Sequence, residues 1–478
     1  MSGPGEMLLR GAEVYGRRLD VRVSGSTITE MGRDLTAGRA ALVVEVGGDA
    51  LLPGLHDHHL HLLATAAAER SVDVSTARVR NIAGFEEALR SADAALPSGG
   101  WIRAVSYHES VAGDLDRHSL DAVVPERPAR IQHRSGARWT LNTAGIRALG
   151  LEGADMPGLE RDASGAPTGR LHRADRRLRA LLRDAGAVDL SGLGRRLASY
   201  GVTGVSDATP YDALEDLAAI AHARESGALP QRVMVMGGPE IASKRFPELV
   251  ERGPVKMVID DAEYPAFDEL TAGIAEAHAC GRNVAIHCVT RTSLALAVTA
   301  FDAAGSRPGD RVEHASVAPP DLRAALAALR LTVVVQPSFV AERGDEYLAD
   351  VDVDDVAHLY PCRSLLDAGV RVAGSTDAPY SDPDPWKAML AATTRETESG
   401  AVVGPHERIS PGEALGLFLG DLGAPGGPAR AVETGRPADL CLLDRPLDAA
   451  LAHLDSRRVR MTVCDGVVVF ERGLDRPV

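Results

Sequence analysis

Lysine is nearly absent from this chain. Only Lys244, Lys256 and Lys387 occur among 52 basic residues, so arginine carries almost all the positive charge. A lysine inside an apolar strand is therefore conspicuous here, and Lys256 is one. Cysteine is scarce too: Cys280, Cys288, Cys362, Cys441 and Cys464 are scattered, odd in number and form no Cys-x-x-Cys pair. No disulfide framework is indicated. No apolar run approaches the ~18 residues that a membrane span needs, and the first six residues lack a signal-peptide pattern. The expected location is the cytoplasm, without a membrane partner. A basic excess is missing as well, since the formal charge is −15, and nucleic acid is not an expected partner. At 478 residues the chain can bury one large core, or a large domain beside a smaller one.

Against this background one stretch stands out. In Leu51-Leu52-Pro53-Gly54-Leu55-His56-Asp57-His58-His59-Leu60-His61 an apolar run ends at Pro-Gly, and four histidines and an aspartate follow within six residues. Side chains alternate along a strand, so Asp57, His59 and His61 face one side. Two imidazoles at one strand end can bind a divalent ion through nitrogen. His56 and His58 alternate away and are expected to pack against the neighbouring wall.

The rest of the chain gives this stretch a setting. Residues 7–50 read as short strands separated by Gly/Ser turns, and the same texture returns at 438–444 and 459–470. Strand-rich pieces at both ends can pair into one small β-domain. Between them, apolar strands alternate with amphipathic helices, which predicts a parallel α/β sheet. Eight strand candidates lie at 50–61, 201–207, 232–236, 255–259, 283–288, 311–314, 331–336 and 370–377. Eight such units suggest a (β/α)8 TIM barrel with its active site at the C-terminal strand ends. About 140 residues separate the first two strands, more than a βα crossover needs, so this segment reads as an insertion over the barrel mouth. The expected organisation is a β-sandwich piece at 1–50, a barrel at 51–425 with an insertion at roughly 70–195, and a second β-sandwich piece at 426–478.

Residues with metal chemistry occupy the strand ends: His59 and His61 on the first, Lys256 on the fourth, His287 on the fifth, His314 on the sixth and Asp377 on the eighth. Convergence of imidazoles and a carboxylate is what a metal site requires. A neutral lysine amine reacts with carbon dioxide to give a carbamate, a bidentate anion able to bridge two cations. With His59 and His61 on one cation and His287 and His314 on the other, Lys256 is placed to bridge. Metal-activated hydroxide could then attack a carbonyl while Asp377 accepts the proton and returns it to the leaving nitrogen.

This order of residues resembles the amidohydrolase superfamily over essentially the whole chain. The matching marks are Pro53-Gly54-x-x-Asp57-x-His59-x-His61, Val255-Lys256, His287, Glu313-His314 and Ser375-Thr376-Asp377-Ala378-Pro379. Trp101-Ile102, Asp114-Leu115-Asp116, Pro125-Glu126-Arg127-Pro128, Asn142 and Arg161-Asp162-x-x-Gly165-x-Pro167-Thr168-Gly169 narrow it to the YtcJ-like branch, amidohydrolase family 3, which includes N-substituted formamide deformylase. The resemblance implies a metal-dependent hydrolase of C–N bonds with a carboxylated Lys256 and a two-zinc centre, although some superfamily members use one metal. Asp377 and His314 are the expected catalytic pair.

The chain departs from the branch where pocket residues are expected. Ser135-Gly136-Ala137 replaces a common Asp-Gly-His stretch, Arg170-Leu171-His172-Arg173 replaces a segment with glutamate, and no Gly-Asp follows His287-Cys288. The extra basic residues His133, Arg134, Arg138, His172 and Arg173 either receive an acidic substrate group or are ordinary charges on a lid. Trp139 is a candidate for an apolar pocket wall, Tyr107 and Trp386 are others, and Gln336 is a candidate to line the pocket. The expected function is hydrolysis of an amide, N-acyl or N-formyl bond in a small molecule. A deaminase, isomerase or decarboxylase on the same frame stays open, as does a non-catalytic relative, although no expected ligand is lost. A homodimer is also left open by the sequence.

Overall fold

The computed structural model describes residues 5–39, 41–97, 99–182, 188–211 and 213–473. The outermost residues of both expected terminal segments lie outside the described residues. The chain divides into two compact units, residues 1–62 with 189–478 and residues 63–188.

Short parallel strands carry the larger unit: β1 (Leu55–Leu60), β2 (Val202–Asp207), β3 (Arg232–Val235), β4 (Val255–Val258), β5 (Val284–Cys288), β6 (Arg311–His314), β7 (Thr332–Val335) and β8 (Arg371–Gly374). β1, β2, β3 and a short strand at Val250–Arg252 form one parallel sheet, and β4 to β8 form another. Hydrogen bonds join the two sheets at both edges. On one side Lys256 N–H donates to Gly237 O at 2.8 Å; on the other Asp377 N–H donates to His59 O and His61 N–H to Ala378 O, each at 2.8 Å. Helices Phe267–Ala279, Arg291–Ala304 and Pro320–Ala328 fill successive strand-to-strand connections. The second starts at a reciprocal Thr290–Ser293 capping box, which satisfies backbone donors that a helix start leaves open.

β7 reads Thr-Val-Val-Val and is buried at every position, as expected of a parallel strand covered on both faces. β1 is equally buried but reads Leu-His-Asp-His-His-Leu. His56 packs against Gly204 of β2, where a Cβ would stand 2.5 Å from the ring, so glycine is required there. Burial, then Arg430, pushes the His56 imidazole well below its ordinary range, and burial with Arg311 takes His58 down to about 3. Both rings are therefore neutral wall residues.

The strand expected over 50–61 changes partners at Gly54. Leu51–Pro53 pairs antiparallel with Leu440–Leu443, and only Leu55–Leu60 joins the parallel set. The backbone switches there: Gly54 N–H donates to Asp439 O at 2.9 Å, and Leu55 N–H to Gly201 O at 2.8 Å. The terminal pieces form two four-stranded sheets. One has the order Thr27–Gly32, Arg17–Ser24, Glu6–Val14, Leu42–Glu45; the other is Val467–Glu471, Val459–Cys464, Leu440–Leu443, Leu51–Pro53. Met7, Leu9, Val21 and Val23 of the first share one core with Leu51, Leu440, Leu442 and Met461 of the second.

The smaller unit has a six-stranded sheet in the order Leu159–Arg161, Pro167–His172, Arg138–Leu141, Ala129–His133, Ile102–Tyr107, Val72–Asp73. Phe85, Leu89, Ile102 and Ile131 lie in one of its cores, Trp139, Leu141, Ile146 and Leu171 in another. Among the described residues, no helix is long and apolar enough to cross a membrane.

Candidate metal centre

The C-terminal ends of β1 and β8 are tied together before any side chain is considered. The two backbone bonds linking His59 with Asp377 and His61 with Ala378 fix both loops. Asp57, fully buried, reinforces them: its carboxylate accepts from Thr376 Oγ1 at 2.5 Å, Thr376 N–H at 3.2 Å and His59 N–H at 3.1 Å. Asp57 shares the alternation of His59 and His61, yet it works as a clamp between strands. Burial raises its carboxyl to about 7 against the pull of these donors.

Three ligand-type groups meet here. His59 Nε2 and His61 Nε2 lie 3.4 and 3.3 Å from the same atom, Asp377 Oδ1. His59, His61 and Asp377 form a group whose donor atoms all fall within 4.8 Å of one another, close enough to hold one cation. The other nitrogen of each imidazole is engaged behind the site. His59 Nδ1 meets Glu313 Oε2 at 2.5 Å, and His61 Nδ1 meets Thr209 Oγ1 at 2.8 Å. Such partners fix ring orientation and tautomer, leaving the free nitrogen as a lone-pair donor. Burial, then the charge of Lys256, drives His59 well below its ordinary range, which favours the neutral, ligating form.

His314 and His287 stand alongside. The His314 ring is 5.0 Å from that of His59 and 4.5 Å from that of His287, and His314 Nδ1 is 4.0 Å from Asp377 Oδ2. Lys256 is buried, and among the described residues its Nζ has no hydrogen-bond partner. Burial lowers its ammonium, opposed by the carboxylates of Glu313 and Asp377. The backbone is bent into the left-handed region at His314 (φ 72°), Ala315 (φ 46°) and Asp377 (φ 58°). Strain of this kind collects where a site holds side chains in place.

The expectation for Gln336 changes. It is fully buried; its Oε1 meets His314 Nδ1 at 2.7 Å, and its Nε2 donates to Val334 O at 3.0 Å and Ser375 Oγ at 2.9 Å. With its amide engaged, Gln336 orients His314 instead of lining a pocket. Trp139 changes too: it is buried in the core of the smaller unit, flanked by Arg103 and Arg130 at 5.4 and 5.1 Å from its ring. Tyr107 and Trp386 are core residues of their own units, the latter donating from Nε1 to Tyr200 O at 2.9 Å.

Carboxylates of the smaller unit already meet several of its extra basic residues. His133 Nε2 is 3.0 Å from Glu109 Oε2, Arg138 binds Asp114 at 3.1 Å, and His172 Nε2 is 3.2 Å from Glu160 Oε2. Burial alone would raise the Glu109 carboxyl, but its backbone contact, His133 and Arg138 hold it at about 2. Arg134 and Arg173 have interactions of their own. These pairings favour the reading of surface charges over that of an open anion receptor.

Sequence reasoning named Glu313 only as part of the Glu313-His314 mark, without its contact to His59, and passed over Thr209 and Asp207. Glu313 precedes His314, and strict alternation would send the two to opposite faces. The positive φ at His314 ends that alternation, so both reach the centre. Asp207 ends β2 and accepts from Thr209 N–H at 2.9 Å, Tyr211 Oη at 3.0 Å and Leu62 N–H at 3.1 Å. Glu313 is held in turn by Arg311, whose Nε is 2.6 Å from Oε1. Replacing Glu313 with glutamine is expected to weaken metal binding at this group about 10–100-fold. Chelator competition on the whole protein reads this directly, and unchanged affinity would reduce the contact to packing.

A His-His-Asp cluster at the C-terminal ends of parallel strands is an arrangement suited to metal-dependent hydrolysis. The chain belongs to the amidohydrolase family, whose profile matches residues 43–470. It is similar to N-substituted formamide deformylase of Arthrobacter pascens, with 29% identity covering 95% of each chain. The putative amidohydrolase YtcJ of Bacillus subtilis (strain 168) is 24% identical, covering 90% of each. The fold is shared with an uncharacterized metal-dependent hydrolase from Pyrococcus horikoshii OT3, with a TM-score of 0.75 at 20% identity, covering 94% of this chain and 100% of the other. It is also shared with N-isopropylammelide isopropylaminohydrolase from Burkholderia multivorans ATCC 17616, with a TM-score of 0.57 at 18% identity, covering 98% and 99%.

Proposed function

We propose that this chain is a zinc-dependent amidohydrolase that cleaves the C–N bond of an N-formyl amine, another N-acyl amine or a related small amide in the cytoplasm. The observation that carries this reading is the convergence of His59 Nε2 and His61 Nε2 on Asp377 Oδ1, with both Nδ1 atoms engaged behind. We read the eight parallel strands as a (β/α)8 barrel, with its active site at the C-terminal strand ends and a β-sandwich built from both termini beside it. The formyl or acyl class is supported by the 29% identity to N-substituted formamide deformylase.

The residues present fit a metal centre. Among the described residues, Asp377 Oδ1 and Lys256 Nζ are buried polar atoms without a hydrogen-bond partner, beside imidazoles kept neutral by burial. His59, His61 and Asp377 would hold one zinc, His287 and His314 a second, with Lys256 bridging as its carbamate. Burial favours the neutral Lys256 amine, the form that reacts with carbon dioxide. Bound zinc supplies a coordinated water with its pKa lowered to ~7 and polarises the scissile carbonyl. Asp377, held by backbone bonds on both sides, accepts the proton of the attacking water. It then donates that proton to the leaving nitrogen as the C–N bond breaks. Gln336 and Glu313 keep His314 and His59 in register throughout.

Two measurements test the reading: metal content by mass spectrometry on protein purified without chelator, and product analysis on a panel of N-formyl and N-acyl amines. Two zinc ions per chain and release of free amine are expected. One zinc would leave Lys256 outside the metal centre, while no metal even after zinc is offered would defeat the proposal.

A further inference from the structure

The opposite ends of the same strands carry a second feature. A cavity of about 160 Å³ opens where β4, β5 and β6 begin, lined by Arg252, Gly253, Arg282, Asn283, Gly309 and Arg311 among others. A water occupies about 30 Å³ of liquid, so the space exceeds one or two waters. The full lining holds three arginines and no carboxylate, on a chain whose formal charge is −15.

The charge of two of these arginines, Arg252 and Arg282, is poorly compensated. Arg282 is only 3% exposed, yet its guanidinium meets no acid: Nε donates to Gly253 O at 2.9 Å, Nη1 to Ala242 O at 3.5 Å, and Nη2 to Pro254 O at 2.9 Å and to Met236 O, while the group lies 5.2 Å from the Phe246 ring. Carbonyl dipoles satisfy donors without cancelling a charge, and burying an uncancelled charge is costly. Arg252 lies beside it in a short strand paired with β3; among the described residues its side chain makes no hydrogen bond or ion pair. Burial, then the charge of Arg252, lowers the Arg282 guanidinium to about 10, the direction that two unneutralised cations impose. Arg311 reaches the cavity from β6, its Nε paired with Glu313 and its Nη2 donating to His58 O at 3.3 Å. Nearby acids are committed elsewhere. Asp310 binds His278 at 3.0 Å, Val284 N–H at 2.8 Å and Arg307 N–H at 2.7 Å, and Asp421 accepts from Gly423 N–H at 2.9 Å.

We propose that this cavity is a binding site for a small oxyanion of the phosphate class, held by Arg252 and Arg282 with Arg311 at its floor. Guanidinium forks match the oxygens of such an anion, and the partly enclosed setting strengthens the attraction beyond that of a surface arginine. The site stands at the strand ends remote from His59, His61 and Asp377, and does not depend on the proposed hydrolytic reaction.

The test is a titration of the full chain with inorganic phosphate and with sulfate, at constant ionic strength against chloride, by calorimetry and by thermal unfolding. Phosphate can also bind zinc, so the titration is run on zinc-stripped protein. Saturable binding near one anion per chain, with a raised Tm, is expected. Arg252→Gln removes an exposed arginine and should leave the fold intact while weakening binding at least 10-fold. Arg252→Glu should abolish binding. Absence of saturable binding to wild type, or equal affinity in Arg252→Gln, would overturn the assignment.

Discussion

Asp377→Asn is expected to lower kcat for amide hydrolysis by about 10²–10⁴-fold, the range associated with loss of one general acid–base group. The substitution is nearly isosteric, and Asp377 N–H still donates to His59 O, so the link between β1 and β8 stays in place. What disappears is the anion on which the two imidazole nitrogens converge, and with it the group proposed to carry the proton to the leaving nitrogen. KM should move far less than kcat if the carboxylate acts in proton transfer and not in substrate recognition. Measuring kcat, KM and zinc content on the same preparation separates loss of proton transfer from loss of metal. A kcat within a few-fold of wild type, with zinc retained, would remove Asp377 from the chemistry.

The contrast between ligand-type residues and their supports shows what the sequence could reveal. Strand positions were legible because parallel strands buried on both faces are apolar runs, as in Thr332–Val335, and because the polar exceptions cluster at their C-terminal ends. The alternation that put His59 and His61 on one side holds: both nitrogens meet one carboxylate oxygen. Alternation also put Asp57 on that side, and tertiary pairing gives it a separate task, since Thr376 takes its carboxylate. The break at Gly54 was hidden because Leu51-Leu52-Pro53 and Leu55 look continuous, while the two halves pair with strands far apart in sequence. The parts played by Glu313 and Gln336 escaped for a related reason. Each acts on a histidine from a different strand or strand end, a relation that local pattern does not encode. Aromatic residues were the weakest guide: a tryptophan such as Trp139 fits a pocket wall or a core equally well until its neighbours are known.

Lys256→Met should have the second large effect. Methionine preserves length and suits a buried strand position, so β4 keeps its packing and the Lys256 backbone bond to Gly237 O. The variant cannot form a carbamate. If Lys256 bridges two zinc ions, bound zinc falls from two per chain to one or none, and turnover falls with it by about 10²-fold or more, the upper end of what a lost supporting metal contact costs. Burial makes this outcome physically reasonable: the amine is held towards its neutral form, and its Nζ has no competing hydrogen-bond partner. A carbamate would bring an anion into a place where the present amine has no partner. Wild-type protein reconstituted with zinc and carbon-13 bicarbonate should show a carbamate carbonyl signal that the variant lacks, and reconstitution in carbon-dioxide-free buffer should leave wild type as poorly loaded as the variant. If Lys256→Met instead retains two zinc ions and normal turnover, the centre is assembled by histidines and Asp377 alone. Lys256 would then be a buried cation balancing Glu313 and Asp377, the two carboxylates whose field it already feels.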